Sequence, residues 1–229
     1  MNSSNGLMIA LLVAVLVFGF LMDGYAVFLR IVGAEGLAES LAMANLVQYI
    51  ARISNVIVIF VLSYSFETGQ LTVKVASVFL LACFFGLIFV TALIRMQRFC
   101  NAVTLCLRPL LYFSFRKISD KPVWRDLGKF RLNAFKLISI ATFTNSLIVM
   151  AMFVPFGIAT FYPEMRMTSV YVGQLINFFA TLLVFGIQDP VSMRLVDGGA
   201  LEEVGGALLY GRVISYFVSM VVFGMLLLV

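Results

Sequence analysis

The stretch Leu41–Tyr64, LAMANLVQYIARISNVIVIFVLSY, decides how the rest of the chain is read. It is apolar over the ~20 residues a helix needs to cross a bilayer, yet Arg52 stands near its middle. A charge at that depth costs about 2.5–3.5 kcal/mol on insertion scales, so it needs a partner or a task. At ~100° per residue, Asn45, Gln48, Arg52, Asn55 and Ser63 fall within an arc of roughly 80°. A membrane helix with one polar stripe is expected to face a protein interior or a water-filled cavity. This helix is therefore the expected wall of a substrate path.

Composition extends that reading to the whole chain. Of its 229 residues 62% are hydrophobic and 12% charged, and the mean hydropathy is +1.08. A soluble domain of this length cannot hide so much apolar surface. Segments of about 10 residues with alternating polarity, the mark of a membrane β-barrel, do not occur. The expected fold class is an all-α polytopic membrane protein, one integral membrane domain over residues 1–229. Transmembrane helices are expected at 7–29, 41–64, 72–94, 134–158, 167–188 and 207–228, six in all. Met1–Asn5 carries no basic residue and Asp23–Ala26 is a poor cleavage site, so the first reads as a retained span.

Basic residues set the orientation. Ten of the sixteen Lys and Arg lie between the third and fourth spans, from Arg95 to Lys136, opposed only by Asp120 and Asp126. By the positive-inside rule this connection is cytoplasmic. Counting outward places Arg30, Arg194 and Arg212 on the same side and leaves Glu67, Lys74, Glu164 and Arg166 opposite. The expectation is six spans with both termini out (N-out/C-out). Residues 99–131 alternate cations with apolar and aromatic residues and read as a basic interfacial amphipathic segment. It either gathers anionic lipid or simply fixes topology.

That linker divides the chain into candidate halves 1–98 and 132–229. In the fifth span Gln174, Asn177, Thr181 and Gln188 share one helical face, as the polar residues of the second span do. Each is the middle helix of a triplet, and triplets of opposite orientation are the inverted-repeat plan of many transporters. Such amides also hold helices together by hydrogen bonds, and both readings stand. Small residues of the third and last spans (Ala82, Gly86, Ser215, Ser219, Gly224) allow close contacts, within one chain or between two.

Several chemistries are excluded. With no His the chain lacks the commonest metal ligand and proton shuttle. Cys83, Cys100 and Cys106 have no metal spacing and read as small apolar fillers. There is no phosphate-binding Gly-rich loop and no acidic metal motif. No enzymatic role, cofactor, metal or nucleic-acid partner is expected.

The remaining charges suit an anionic ligand. Asp23 lies toward the cytoplasmic end of the first span, near the expected depth of Arg52. The two can form a structural pair, or an anion can compete with Asp23 for Arg52. Pro190 is expected to stop the fifth helix after Asp189. Beyond it, Arg194 and Arg212 either receive a phosphate or answer Asp189 and Asp197. Gly198–Gly199 and Gly205–Gly206 read as a flexible loop.

Two sets of residues resemble a known family. The first is Tyr25-Ala26 with Arg30-Ile31-Val32-Gly33-Ala34, followed by Ala44-Asn45 and Ala51-Arg52-Ile53-Ser54-Asn55. The second is Ile176-Asn177-Phe178-Phe179-Ala180-Thr181-Leu182-Leu183 with Gln188-Asp189-Pro190-Val191-Ser192 and Gly211-Arg212. Together they resemble the Amj family of alternate lipid II flippases. The resemblance implies a multi-pass protein of the bacterial cytoplasmic (inner) membrane, moving the undecaprenyl-pyrophosphate-linked peptidoglycan precursor to the outer leaflet. Under it, Arg52 holds the pyrophosphate at mid-membrane and Asn45, Gln48, Asn55, Gln174 and Asn177 line the route. Arg30, Arg194 and Arg212 receive the headgroup, while Asp23 and Asp189 act as charge partners or gates. Membrane lipids and lipid II, or a related polyprenyl-pyrophosphate glycan, are then the partners. The same residues suit a flippase for another polyprenyl-linked glycan, or a small-solute or ion secondary transporter with a cavity closed to lipid. A non-transporting scaffold, with Arg52 locked to Asp23, is the third reading.

Overall fold

The computed structural model describes residues 3–32, 37–67, 75–95 and 132–228, which are helical apart from short turns. The elements are α1 (Ser3–Val32), α2 (Leu37–Glu67), α3 (Val75–Arg95), α4 (Leu132–Phe161), α5 (Arg166–Leu183), α6 (Asp189–Asp197) and α7 (Leu201–Leu228). A π-helical turn, Val184–Gln188, joins α5 to α6. Five apolar stretches are long enough to cross a membrane, namely Gly6–Val27, Ala44–Val61, Ala134–Phe161, Thr168–Asp197 and Glu203–Leu226, while Ser77–Ala92 in α3 is a shorter one. The five long stretches and the shorter one overlap the six stretches picked out by hydropathy, of which the third is thus too short to count among the five. The basic segment 99–131, with Cys100 and Cys106, lies outside the described residues, and so does the side chain of Arg30.

Helix packing builds outward from α1, α3 and α7, which touch one another. On one side α1 holds α2, and on the other α7 holds α4, which carries α5. Where α3, α4 and α7 meet, Phe79, Phe153 and Phe223 form an aromatic knot, with ring centroids 4.6–5.8 Å apart. The α1–α7 interface is densest at one end. From Gly19 to Val27 only Leu21 and Asp23 escape full burial, and on α7 Val204–Leu209, Gly211 and Arg212 are all buried. Toward the start of α1, Leu7 and Leu11 are exposed.

Small residues let the helices approach. A Cβ on Gly211 would lie 2.6 Å from that of Ala141, and one on Gly173 would lie 2.8 Å from the Ala151 carbonyl oxygen. Of the small residues noted in the third and last spans, Ala82, Ser215 and Ser219 are buried within this one chain. Gly86 makes room for Phe20 and Tyr216.

Two local expectations are corrected. Pro190 does not stop the fifth helix, which runs on through α6 to Asp197. In an unbroken α-helix its ring would clash with the Gly186 carbonyl and its missing N–H would orphan an acceptor. The π turn relieves this by changing the register, with the Asp189 N–H donating to the Val184 carbonyl five residues back. Nor are Gly205 and Gly206 a loop, because they are buried inside α7. The chain turns at Gly198–Gly199 alone. There Gly199 takes φ +79°, and the N–H groups of Gly199 and Ala200 cap the Val196 and Leu195 carbonyls.

Gly211→Ala should lower thermal stability in detergent by about 1–3 kcal/mol, the usual cost of overpacking. Gly6→Ala, which meets nothing within 4 Å, should not. Equal melting of the two variants would show that the α4–α7 contact tolerates a methyl group.

Candidate functional site

The described ion pair in the bundle joins its two central helices. Arg212, on α7, donates from Nη1 to Asp23 Oδ2 on α1. Asp23 therefore takes Arg212 and not Arg52, which corrects the expected pairing. Packing explains this, because Asp23 lies on the part of α1 that faces α7. Arg212 is 7% exposed, and its Nε has no hydrogen-bond partner among the described residues. The Asp23 side chain keeps 28% exposure, so the pair is only partly buried. Tyr216, one helical turn beyond Arg212, sets its hydroxyl within reach of the same guanidinium. Its ring lies 5.0 Å from that of Phe20. Arg212, Ser215, Tyr216 and Ser219 thus form a buried polar stripe at i, i+3, i+4 and i+7 along α7.

Arg52 is placed differently from expectation. Helix α2 packs on α1 through Ala44, Val47, Ala51, Ser54 and Val58, all buried. The polar stripe is centred roughly 110° around the helix from that face. Asn45 and Arg52 are exposed, whereas Gln48, Asn55 and Ser63 are half-buried. The Arg52 guanidinium stands 5.6 Å from the centre of the Tyr49 ring, within cation–π range. Asn55 turns in toward Gly19, and its Oδ1 is buried without a hydrogen-bond partner among the described residues. The stripe borders the α1–α2 seam and does not line an interior.

The second stripe behaves alike. Helix α5 packs on α4 through Ser169, Gly173 and Ala180, leaving Gln174 and Asn177 exposed. The Thr181 hydroxyl donates to the Asn177 carbonyl at 2.8 Å. The stripe again lies roughly 100° from the packed face, in the same rotational sense as on α2. Gln188 leaves it. The extra residue of the π turn rotates Gln188 by roughly 100° onto the packed face. There it is buried, and the Thr144 hydroxyl donates to its Oε1 at 2.6 Å. Nearby, the Ser146 and Ser215 hydroxyls are 3.2 Å apart across α4 and α7.

Asp189 is half-buried and Arg194 exposed on α6. An open groove of about 260 Å³ lies between α4 and the π turn, lined by Ser139, Ile140, Phe143, Thr144, Leu183 and Ile187. Thus the structure joins Asp23 to Arg212 and keeps the α2 stripe together. Arg194, Gln174 and Asn177 lie apart from that pair, on the faces of α5 and α6. Tyr216 and Thr144 were not singled out from the sequence. The spacing of Tyr216 from Arg212 carried a signal, and that of Thr144 carried none. No family model matches the chain, nor does any curated protein or solved structure.

Asp23→Asn and Arg212→Gln should each cost about 2–3 kcal/mol in detergent, below the 3–5 kcal/mol of a fully buried pair because Asp23 meets solvent. The double variant should cost at least about 1 kcal/mol less than the two combined. Strict additivity in the thermal cycle would show that the two charges are independent.

Proposed function

We propose that this chain is a flippase for lipid II, moving the polyprenyl-pyrophosphate-linked precursor from the inner to the outer leaflet of the bacterial cytoplasmic membrane. The observation that carries the reading is the outward placement of the polar stripes on α2 and α5. A small-solute carrier needs its polar groups around a closed cavity. A polar headgroup whose tail stays in lipid needs them along a lateral seam. Arg52 with Asn45 and Gln48, and Gln174 with Asn177, supply such seams on helices that hydropathy alone would turn to lipid.

The orientation belongs to the same proposal, with both termini outside and the Asp23–Arg212 end cytoplasmic. Two inverted three-helix units, α1–α3 and α4–α7, are supported by the packing. In each, the first helix carries the middle one on its outer side and touches the third, and the third helices touch each other. The shared rotational offset of the two polar stripes fits a two-fold relation, which preserves hand.

In this mechanism the cytoplasmic end is the closed one, where α1 and α7 are most buried. An incoming pyrophosphate competes with Asp23 for Arg212, using the exposed side of the carboxylate to enter. With the pair open, Arg30 and Arg212 hold the headgroup while Arg52 draws the phosphates to mid-membrane. The amides of α2 and α5 satisfy sugar hydroxyls along the seam, and closure of the pair behind the cargo commits it outward. The chain carries no phosphate-binding Gly-rich loop, so a gradient, the membrane potential or consumption of product outside drives the cycle.

Complementation of cells depleted of their lipid II flippases tests this at matched membrane expression. The wild type should restore growth. Arg52→Ala should reduce translocation about 10-fold or more, the effect of losing a charge-assisted contact of about 1.5–3 kcal/mol. The exchange Asp23→Arg with Arg212→Asp should restore insertion but not growth, because it moves the cation. Failure of a well-inserted wild type would remove lipid II as cargo. Growth with Arg52→Ala would remove Arg52 from the path.

A further inference from the structure

The groove between α4 and the π turn has a use outside the translocation path. Its walls are Ile140 and Phe143 from α4 and Leu183 and Ile187 from the α5 side, with Ser139 and Thr144 beside them. At about 260 Å³ it is smaller than the ~300–1,000 Å³ of pockets that enclose a drug-sized ligand. It is also open along one side and mostly apolar. Those properties exclude a sugar-peptide headgroup and suit a length of hydrocarbon chain.

Two cations flank one end of the groove. Lys136, Ile140 and Phe143 stand at i, i+4 and i+7, so they share a face of α4. Arg194 is exposed on α6, seven residues beyond Ile187. By helical rise Lys136 lies roughly 6–10 Å from Ile140 and Phe143, toward the start of α4, and Arg194 roughly 10 Å beyond Ile187, toward the end of α6. Both side chains are exposed, and the ion pair found among the described residues, Asp23–Arg212, involves neither. Phe143 and Ile187 are exposed beside them. An apolar slot with two exposed cations toward one end complements a molecule with one anionic head and a flexible tail.

We infer that this groove binds an anionic phospholipid of the leaflet at the Lys136/Arg194 end. Its phosphate lies between the two cations and one acyl chain lies along Phe143, Leu183 and Ile187. The Thr144–Gln188 hydrogen bond fixes the floor of the slot by tying the π turn to α4. The π turn gives the groove its shape, since it carries Gln188 inward while Ile187 remains at the surface. Binding here does not depend on the cargo proposed above.

A fluorescence measurement at the site itself tests this. The chain has one Trp, Trp124. Trp124→Phe with Phe143→Trp puts a single reporter in the groove of the full-length protein. It is reconstituted in phosphatidylcholine vesicles holding a minor fraction of dibrominated phosphatidylglycerol or dibrominated phosphatidylcholine. Each cation near the headgroups favours an anionic lipid by about five-fold, so brominated phosphatidylglycerol should quench at least about five-fold more strongly per mole at low salt. Lys136→Gln with Arg194→Gln should bring the two lipids to parity. Equal quenching in the parent would overturn the anionic preference, and absence of quenching by either would overturn chain occupancy. Native mass spectrometry of the unsubstituted groove guards against disturbance by the reporter. Retained phosphatidylglycerol that Lys136→Gln with Arg194→Gln releases would support the site, and equal retention of both lipids would overturn it.

Discussion

The ion pair between Asp23 and Arg212 is the constraint around which the bundle is arranged. A buried cation must be answered by protein, because the bilayer offers no water to hydrate it. The answer here comes from a helix 189 residues away in sequence. It fixes the register of α1 against α7, and the rest of that end follows. Tyr216 joins the guanidinium from the next turn, Phe20 covers the Tyr216 ring, and Gly86 leaves them space. Replaced by apolar residues of equal volume, such a pair is often no less stable. Its contribution is therefore specificity of register rather than net stabilisation. The exposed side of Asp23 adds that one partner stays accessible to a competing ion.

Around that fixed point the polar groups sort into two kinds. Those of α7 and α4 are drawn inward, where Ser146 with Ser215 and Thr144 with Gln188 tie helices together. Those of α2 and α5 lie on the shoulders of their packing faces. The difference follows from where each helix sits. Helix α7 is covered by α1, α3 and α4, whereas α2 and α5 each lean chiefly on a single neighbour. A polar residue on a peripheral helix remains outward unless something rotates it. Of the stripe residues, Gln188 is carried inward by the π turn that Pro190 requires, and Asn55 turns in toward Gly19.

These same causes explain what could be read from the chain. Hydropathy located the long apolar helices among the described residues because length and apolarity are local properties. It placed Asp23 toward the cytoplasmic end of the first span and Arg212 on the same side. Their pairing stayed hidden because it depends on which helices are neighbours, and no periodicity encodes that. Arg52 was assigned to an interior by the cost of its charge. That cost sets a requirement and does not give a direction, and the Ala44–Ala51–Val58 face decided the direction instead. Gln188 was misplaced for a backbone reason. A face computed at 3.6 residues per turn fails beyond a π turn, and the signal for one was present in Gly186 and Pro190. The stripe from Arg212 to Ser219 was visible at helical spacing, but its small hydroxyls read as packing residues.

The position of Arg52 carries the argument one step further. Its cost of about 2.5–3.5 kcal/mol falls on a helix apolar enough to insert regardless. The fold recovers little of it, since Arg52 meets only the Tyr49 ring among the contacts described. Asp23, the acid that could have neutralised it, is engaged with Arg212. A charge left without a counter-ion among the described residues is an expense to assembly, and under the proposed function its compensation comes from a visitor to the α1–α2 seam. That visitor needs an anionic part to meet the guanidinium and hydrogen-bonding groups to meet Asn45 and Gln48. It also needs an apolar part that tolerates the exposed Ile53, Val56 and Phe60 beside them. Those three requirements describe an amphipathic, phosphate-bearing lipid better than any solute that travels wholly in water.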